Sequence, residues 1–218
     1  MLLLVLIISI VHAERSPDPA FEEKSRLLQT DADKRIEQGL LFVGTVALQN
    51  RNFEEAKRYF KQVIEINPKN EGAYLLLGFA YYSLQDYEEA RRNFARVFEL
   101  NPKNPSAYNN FALALMQENN YLQAMEFVLK AIQLEPQDGS FYSTFGQILY
   151  RSKNYHVAEV ILAKAIELKP SHLPASWTLS YVYRELKEFE KARNLLQKAI
   201  DLGPDEAFGY YSLGLVLK

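Results

Sequence analysis

The sequence predicts an all-α solenoid, a stack of helical hairpins that share one continuous core. Three observations predict it. Pro68, Pro102, Pro136, Pro170 and Pro204 follow one another at a constant interval of 34 residues. A fixed period of this length marks one supersecondary unit copied end to end. Between the prolines, small and large apolar residues recur in fixed columns at helical spacing. Apolar residues make up 48% of the 218 residues, enough for a packed core and unlike a disordered chain. In such an array each unit leans on its neighbours. Function is therefore sought on a surface, not in a catalytic pocket.

The elements follow in order. Leu2 to Val11 is apolar except for Ser9, and Val11-His12-Ala13 ends the run on a small residue. A helix needs about 20 apolar residues to cross a bilayer, so the run is too short to span. It fits the hydrophobic region of a secretory signal covering residues 1–13, although only Met1 precedes it and supplies no basic side chain. The expectation is export, into the periplasm of a bacterium. An N-terminal membrane anchor or a cytoplasmic chain is the alternative. Residues 14–36 are expected to form a linker, Arg15-Ser16-Pro17-Asp18-Pro19, and then a polar cap helix over Phe21 to Lys34, with Leu27 and Leu28 available to cover the first repeat.

With each proline set at position 32, full repeats occupy 37–70, 71–104, 105–138, 139–172 and 173–206, and a partial sixth occupies 207–218. Position 8 reads Gly44, Gly78, Ala112, Gly146 and Ser180, with Gly214 in the partial unit. Position 20 reads Ala56, Ala90, Ala124, Ala158 and Ala192. Position 24 carries Phe60, Phe94, Val128, Leu162 and Leu196, and position 17 is always aromatic. Positions 4, 7, 8 and 11 lie on one face of a first helix, A. Positions 20, 24, 27 and 28 lie on one face of a second, B. Small residues at 8 and 20 let the two backbones approach where the helices cross. Polar positions 14 to 16 make the turn between A and B, and the proline stops helix B. Pro105 and Pro174 instead open an A helix, where the missing N–H is not needed.

These columns resemble the tetratricopeptide repeat family. Gly78, Tyr81, Ala90, Phe94 and Pro102 match its pattern in the second repeat, and the resemblance covers residues 37–218. Ser176 and Ser180 depart from it in the fifth repeat, and Ala47 in the first. The resemblance implies a right-handed α-solenoid of helix-turn-helix repeats. It also implies a concave face lined by helix A positions 2, 5, 9, 12 and 13. Here those positions supply Leu75, Phe79 and Tyr82, then Asn109, Leu113, Met116 and Gln117. They continue with Ser143, Gln147, Tyr150 and Arg151, then Trp177, Tyr181, Arg184 and Glu185, and end with Phe208 and Tyr211. Aromatic and Met side chains among a few polar ones suit a binding groove. Relatives that grip chaperone C-terminal carboxylates use Lys at position 5 and Asn at position 9. Here the first three repeats carry Leu41 and Thr45, Leu75 and Phe79, and Asn109 and Leu113, leaving Asn110 as the single clamp-like residue. The expected partner is a protein or peptide with apolar anchors, bound as an extended segment or an amphipathic helix.

Other chemistries find little footing. The net charge is −2 with no basic run, which argues against nucleic acid. With no cysteine there is no disulfide, thiolate metal site or cysteine nucleophile. His12, His156 and His172 fall in different segments and form no ligand-spaced cluster, so neither a metal nor a cofactor is expected. Glu54-Glu55 and Glu88-Glu89 stand at B-helix starts, where acidic residues complement the helix dipole. No phosphate loop or nucleophile elbow is present. The sequence therefore points to a non-catalytic scaffold or adaptor, with envelope assembly or secretion as its expected setting. Two alternatives stay open: the recognition module of a larger enzyme, and a scaffold that self-assembles through its C-terminal helix.

Overall fold

The computed structural model describes residues 19–202 and Gly214, with side chains described over 30–202 and at Gly214. Among them are ten helices and no strand. They are α1 (Pro19–Gln49), α2 (Phe53–Ile66), α3 (Glu71–Ser83), α4 (Tyr87–Leu100), α5 (Pro105–Gln117), α6 (Tyr121–Leu134), α7 (Gly139–Arg151), α8 (Tyr155–Leu168), α9 (Leu173–Glu185) and α10 (Phe189–Leu202). Odd-numbered helices are the A helices and even-numbered ones the B helices. The signal segment and the partial sixth repeat, apart from Gly214, lie outside the described residues.

The core follows the columns. Ala56, Ala90, Ala124 and Ala158 are fully buried, as are Phe60, Val128, Leu162 and Leu196. A Cβ added at Gly78 would stand 2.5 Å from the Phe94 ring, and one at Gly146 would stand 2.3 Å from Leu162 Cγ. The crossing of A and B is thus closed by the position-24 side chain against a bare backbone. In the third repeat Ala112 faces Val128, a larger residue opposite a smaller one. Ser180, the departure in the fifth repeat, is buried, and its hydroxyl donates to the Trp177 carbonyl at 2.7 Å.

The ends of the helices have their own chemistry. Asn70, Asn104 and Asp138 cap α3, α5 and α7, each accepting a backbone N–H of the first turn. Each A helix closes through a residue at position 15 with positive φ, from 60° at Arg51 to 65° at Gln85. The next N–H reaches back five residues, as in Asp86 N–H to the Tyr81 carbonyl at 3.0 Å. This is the Schellman closure, made here without glycine. B helices end at position 30, two residues before the proline.

One boundary differs from expectation. The expected break before residue 37 is absent: α1 runs unbroken from Pro19 to Gln49 and joins the expected cap helix to the first A helix. Residues 20–38 contain neither glycine nor proline, so nothing in the chain stops the helix there. Pro19, expected in the linker, is its first residue. The outer face of α1 is consequently open: Ile36, Phe42, Val43 and Val46 are exposed. In later repeats the residues equivalent to Val46, namely Ala80, Ala114, Ile148 and Val182, are fully buried.

Helix neighbours give the direction of curvature. Every A helix packs on its own B helix and, after the first, on the preceding B helix. Successive A helices also touch one another, whereas successive B helices do not. Among the described residues the A helices therefore form the inside of the curve.

A candidate protein-binding groove on the A-helix face

Side chains of four successive repeats line one open concavity of about 370 Å³ on this inner side. The second and third repeats supply Tyr82, Met116 and Gln117; the fourth supplies Gln147, Tyr150 and Arg151; the fifth supplies Pro174, Trp177, Thr178 and Tyr181. With one exception these are positions 2, 9, 12, 13 and 5 of their repeats. The helical spacing of those positions sets them on the flank of each A helix that the A–B crossing leaves free.

The lining is largely aromatic and internally organised. The Tyr150 and Tyr181 rings stack at 6.2 Å. The Arg184 guanidinium lies 5.1 Å from the Tyr181 centroid and pairs with Glu185 at 3.5 Å. Gln117 Nε2 donates to the Tyr82 hydroxyl at 2.9 Å, a bond between repeats two and three. Gln147 Nε2 donates to Ser143 Oγ at 3.4 Å. Burial raises the pKa of the Tyr82 phenol, against the opposing pull of the Gln117 bond and the Arg151 charge. Burial likewise raises that of Tyr150, with Glu185 adding to it and Arg184 opposing. Both phenols therefore stay protonated and polar at neutral pH.

The remaining candidates take other places. Phe79 is 45% exposed and, with Leu113 and Asn110, borders a small hollow of about 30 Å³ next to Tyr82 and Phe94. Met116 is buried and forms the floor, not a protruding anchor. Leu75 packs against the core of the first two repeats. Asn109 is partly buried, and its Oδ1 is shielded without a hydrogen-bond partner among the described residues. Tyr211 lies outside the described residues. Thr178 was not legible as a lining residue. It occupies position 6, off the expected columns, and its hydroxyl donates to the Pro174 carbonyl at 2.8 Å.

A second apolar surface lies on the B helices. Leu122 and Leu129 on α6, and Val157 and Val160 on α8, are exposed. The corresponding faces of α2, α4 and α10 carry ion pairs instead, among them Glu54–Lys57, Glu88–Arg92 and Glu190–Arg193. No group of His, Cys, Asp and Glu able to hold a metal occurs among the described residues. No described helix is long and apolar enough to cross a membrane.

One tetratricopeptide repeat profile matches residues 47–92 and 149–213, and a second matches 75–139. The chain belongs to the tetratricopeptide repeat (TPR) family. Among solved structures it is similar to TTC0263, a thermophilic TPR protein of Thermus thermophilus. That likeness has a TM-score of 0.76 at 18% identity and covers 83% of this chain and 98% of that one. It is also similar to PilF of Pseudomonas aeruginosa, with a TM-score of 0.70 at 19% identity over 85% of this chain and 86% of that one. YrrB, a TPR protein described with an unusual peptide-binding site, matches with a TM-score of 0.56 at 21% identity over 79% of this chain and 89% of that one. At these identities the likeness is one of fold. No curated protein matches the chain. TPR arrays are generally scaffolds for protein–protein interaction.

Proposed function

We propose that this TPR chain is a non-catalytic adaptor that holds a protein partner against its A-helix face, chiefly across repeats two to five. The observation that carries the reading is the convergence of four repeats on one aromatic concavity of about 370 Å³. Large apolar surface kept open, with a few polar groups to fix orientation, is what an interaction site requires. The occupant is an extended segment or an amphipathic helix with apolar anchors. The peptide-binding site of YrrB, a protein of the same fold, supports the choice of a peptide-like ligand.

The setting we propose is the bacterial periplasm, in support of an envelope-assembly or secretion machine. The apolar run Leu2 to Val11, followed by Ala13, supports export. Affinity capture from the native host tests the role. Wild type should retain a partner that the Phe79→Ala/Trp177→Glu variant loses while its helical circular dichroism is unchanged. Equal recovery by the variant would falsify the groove assignment.

A further inference from the structure

We infer that the groove takes an extended segment whose internal Asp or Glu carboxylate sits between the Arg151 guanidinium and the Tyr82 hydroxyl, flanked on both sides by apolar residues. The inference rests on the proposed function and specifies the chemistry of the partner.

Arg151 stands at the end of α7, exposed, in the lining of the concavity. From Glu71 to Leu202, Arg91, Arg92, Arg96, Arg184 and Arg193 each hold a carboxylate of the chain. Arg151 holds none among the described residues. Glu185, on the neighbouring wall, is engaged by Arg184. Arg151, from the fourth repeat, and Tyr82, from the second, line the same concavity.

Tyr82 completes the pair. Its hydroxyl accepts from Gln117 Nε2 at 2.9 Å, and burial keeps it protonated. With an acceptor site used, its own O–H is left to donate. A guanidinium and a phenol O–H lining one concavity offer it mainly donors. A carboxylate answers both, through charge-assisted bonds stronger than neutral ones. The position argues for a side-chain carboxylate, not a chain terminus. Phe79 and Leu113 lie to one side of the pair, Trp177 and Tyr181 to the other. A segment touching both sides passes its middle over Arg151. The pair uses positions 12 and 13, not the positions 5 and 9 at which the chaperone-tail clamp places its Lys and Asn.

The test is selection of random dodecapeptides displayed on phage against the full chain. Selected peptides are then made with free and with amidated C-termini and titrated against the fluorescence of Trp177, the single tryptophan. The inference expects an Asp or Glu between aromatic or aliphatic residues, with amidation leaving affinity unchanged. Arg151→Glu should weaken binding at least tenfold and prefer the same peptide with Lys in place of its acid. Tyr82→Phe, which keeps the ring, should weaken it several-fold. If Arg151→Glu binds the selected peptides as wild type does, or if a free C-terminus is required, the carboxylate site is wrong and the groove stands. If binding survives Phe79→Ala/Trp177→Glu, or no peptide is enriched over an uncoated surface, the groove reading itself falls.

Discussion

Phe94 shows how closely one residue is fitted to another in this chain. Its ring occupies the space that a Cβ on Gly78 would need, at 2.5 Å. Gly78→Ala improves helix propensity by up to about 1 kcal/mol, but the aromatic ring must move to admit the methyl group. We expect a net loss of roughly 1–3 kcal/mol from this overpacking, measured by urea denaturation. The third repeat shows the alternative solution, Ala112 opposite Val128. Gly78→Ala/Phe94→Val copies it, and the double variant should be more stable than the sum of its single changes allows. These columns were legible in the sequence because volume alternates at fixed spacing. The bond between Tyr82 and Gln117, both expected on the groove side, was not. They lie 35 residues apart, and nothing in their identities announces the bond between them. Met116 lines the concavity on the side its register places it, but it is buried there as part of the floor.

The helix ends carry information that the periodicity does not. Arg51, Gln85, Asn119, Lys153 and Lys187 all adopt the left-handed backbone, and none is glycine. For an L-residue this conformation costs about 1–2 kcal/mol. Gln85→Gly should therefore stabilise the chain, by up to about 1 kcal/mol after the added freedom of its unfolded state is offset. A fall in the urea midpoint would contradict the closure described. The sequence marked these positions only as polar turns, because the usual glycine signal is missing. At the other end of a helix, Asp138 accepts the Ser140 N–H at 2.8 Å. Burial alone would raise its pKa, but the Ser140 hydrogen bonds and the Lys169 charge outweigh burial and lower it. A carboxylate depressed in the folded state stabilises above its unfolded pKa, near 4. That contribution is lost as pH falls through the folded value. Asp138→Ala should cost about 1 kcal/mol at pH 7, and the difference from wild type should shrink towards pH 2. The unbroken α1 belongs to the same lesson. A change of role at residue 37 was legible from the repeat register, but with no breaker before it the backbone continues as one helix.

At the scale of the array, the packing that holds the described repeats together lies between A and B helices, and the proposed partner site lies on the A-helix face. Among the described residues each repeat contacts only near neighbours, so a central defect should weaken the stack from within. Ile148→Ala, at a fully buried inter-repeat position, should cost roughly 2–5 kcal/mol. Leu122→Ser, on an exposed B-helix face, should change stability by no more than about 0.5 kcal/mol. Chemical denaturation of the two variants measures that contrast. The central claim, that the partner lies on the A-helix face, is tested most directly by site-specific photo-crosslinking in the native host. A benzoylphenylalanine placed at Phe79 or Gln147 should trap a partner, and one placed at Leu122 or Val160 should not. Crosslinks confined to Leu122 and Val160 would move the interaction to the B-helix side and contradict the account.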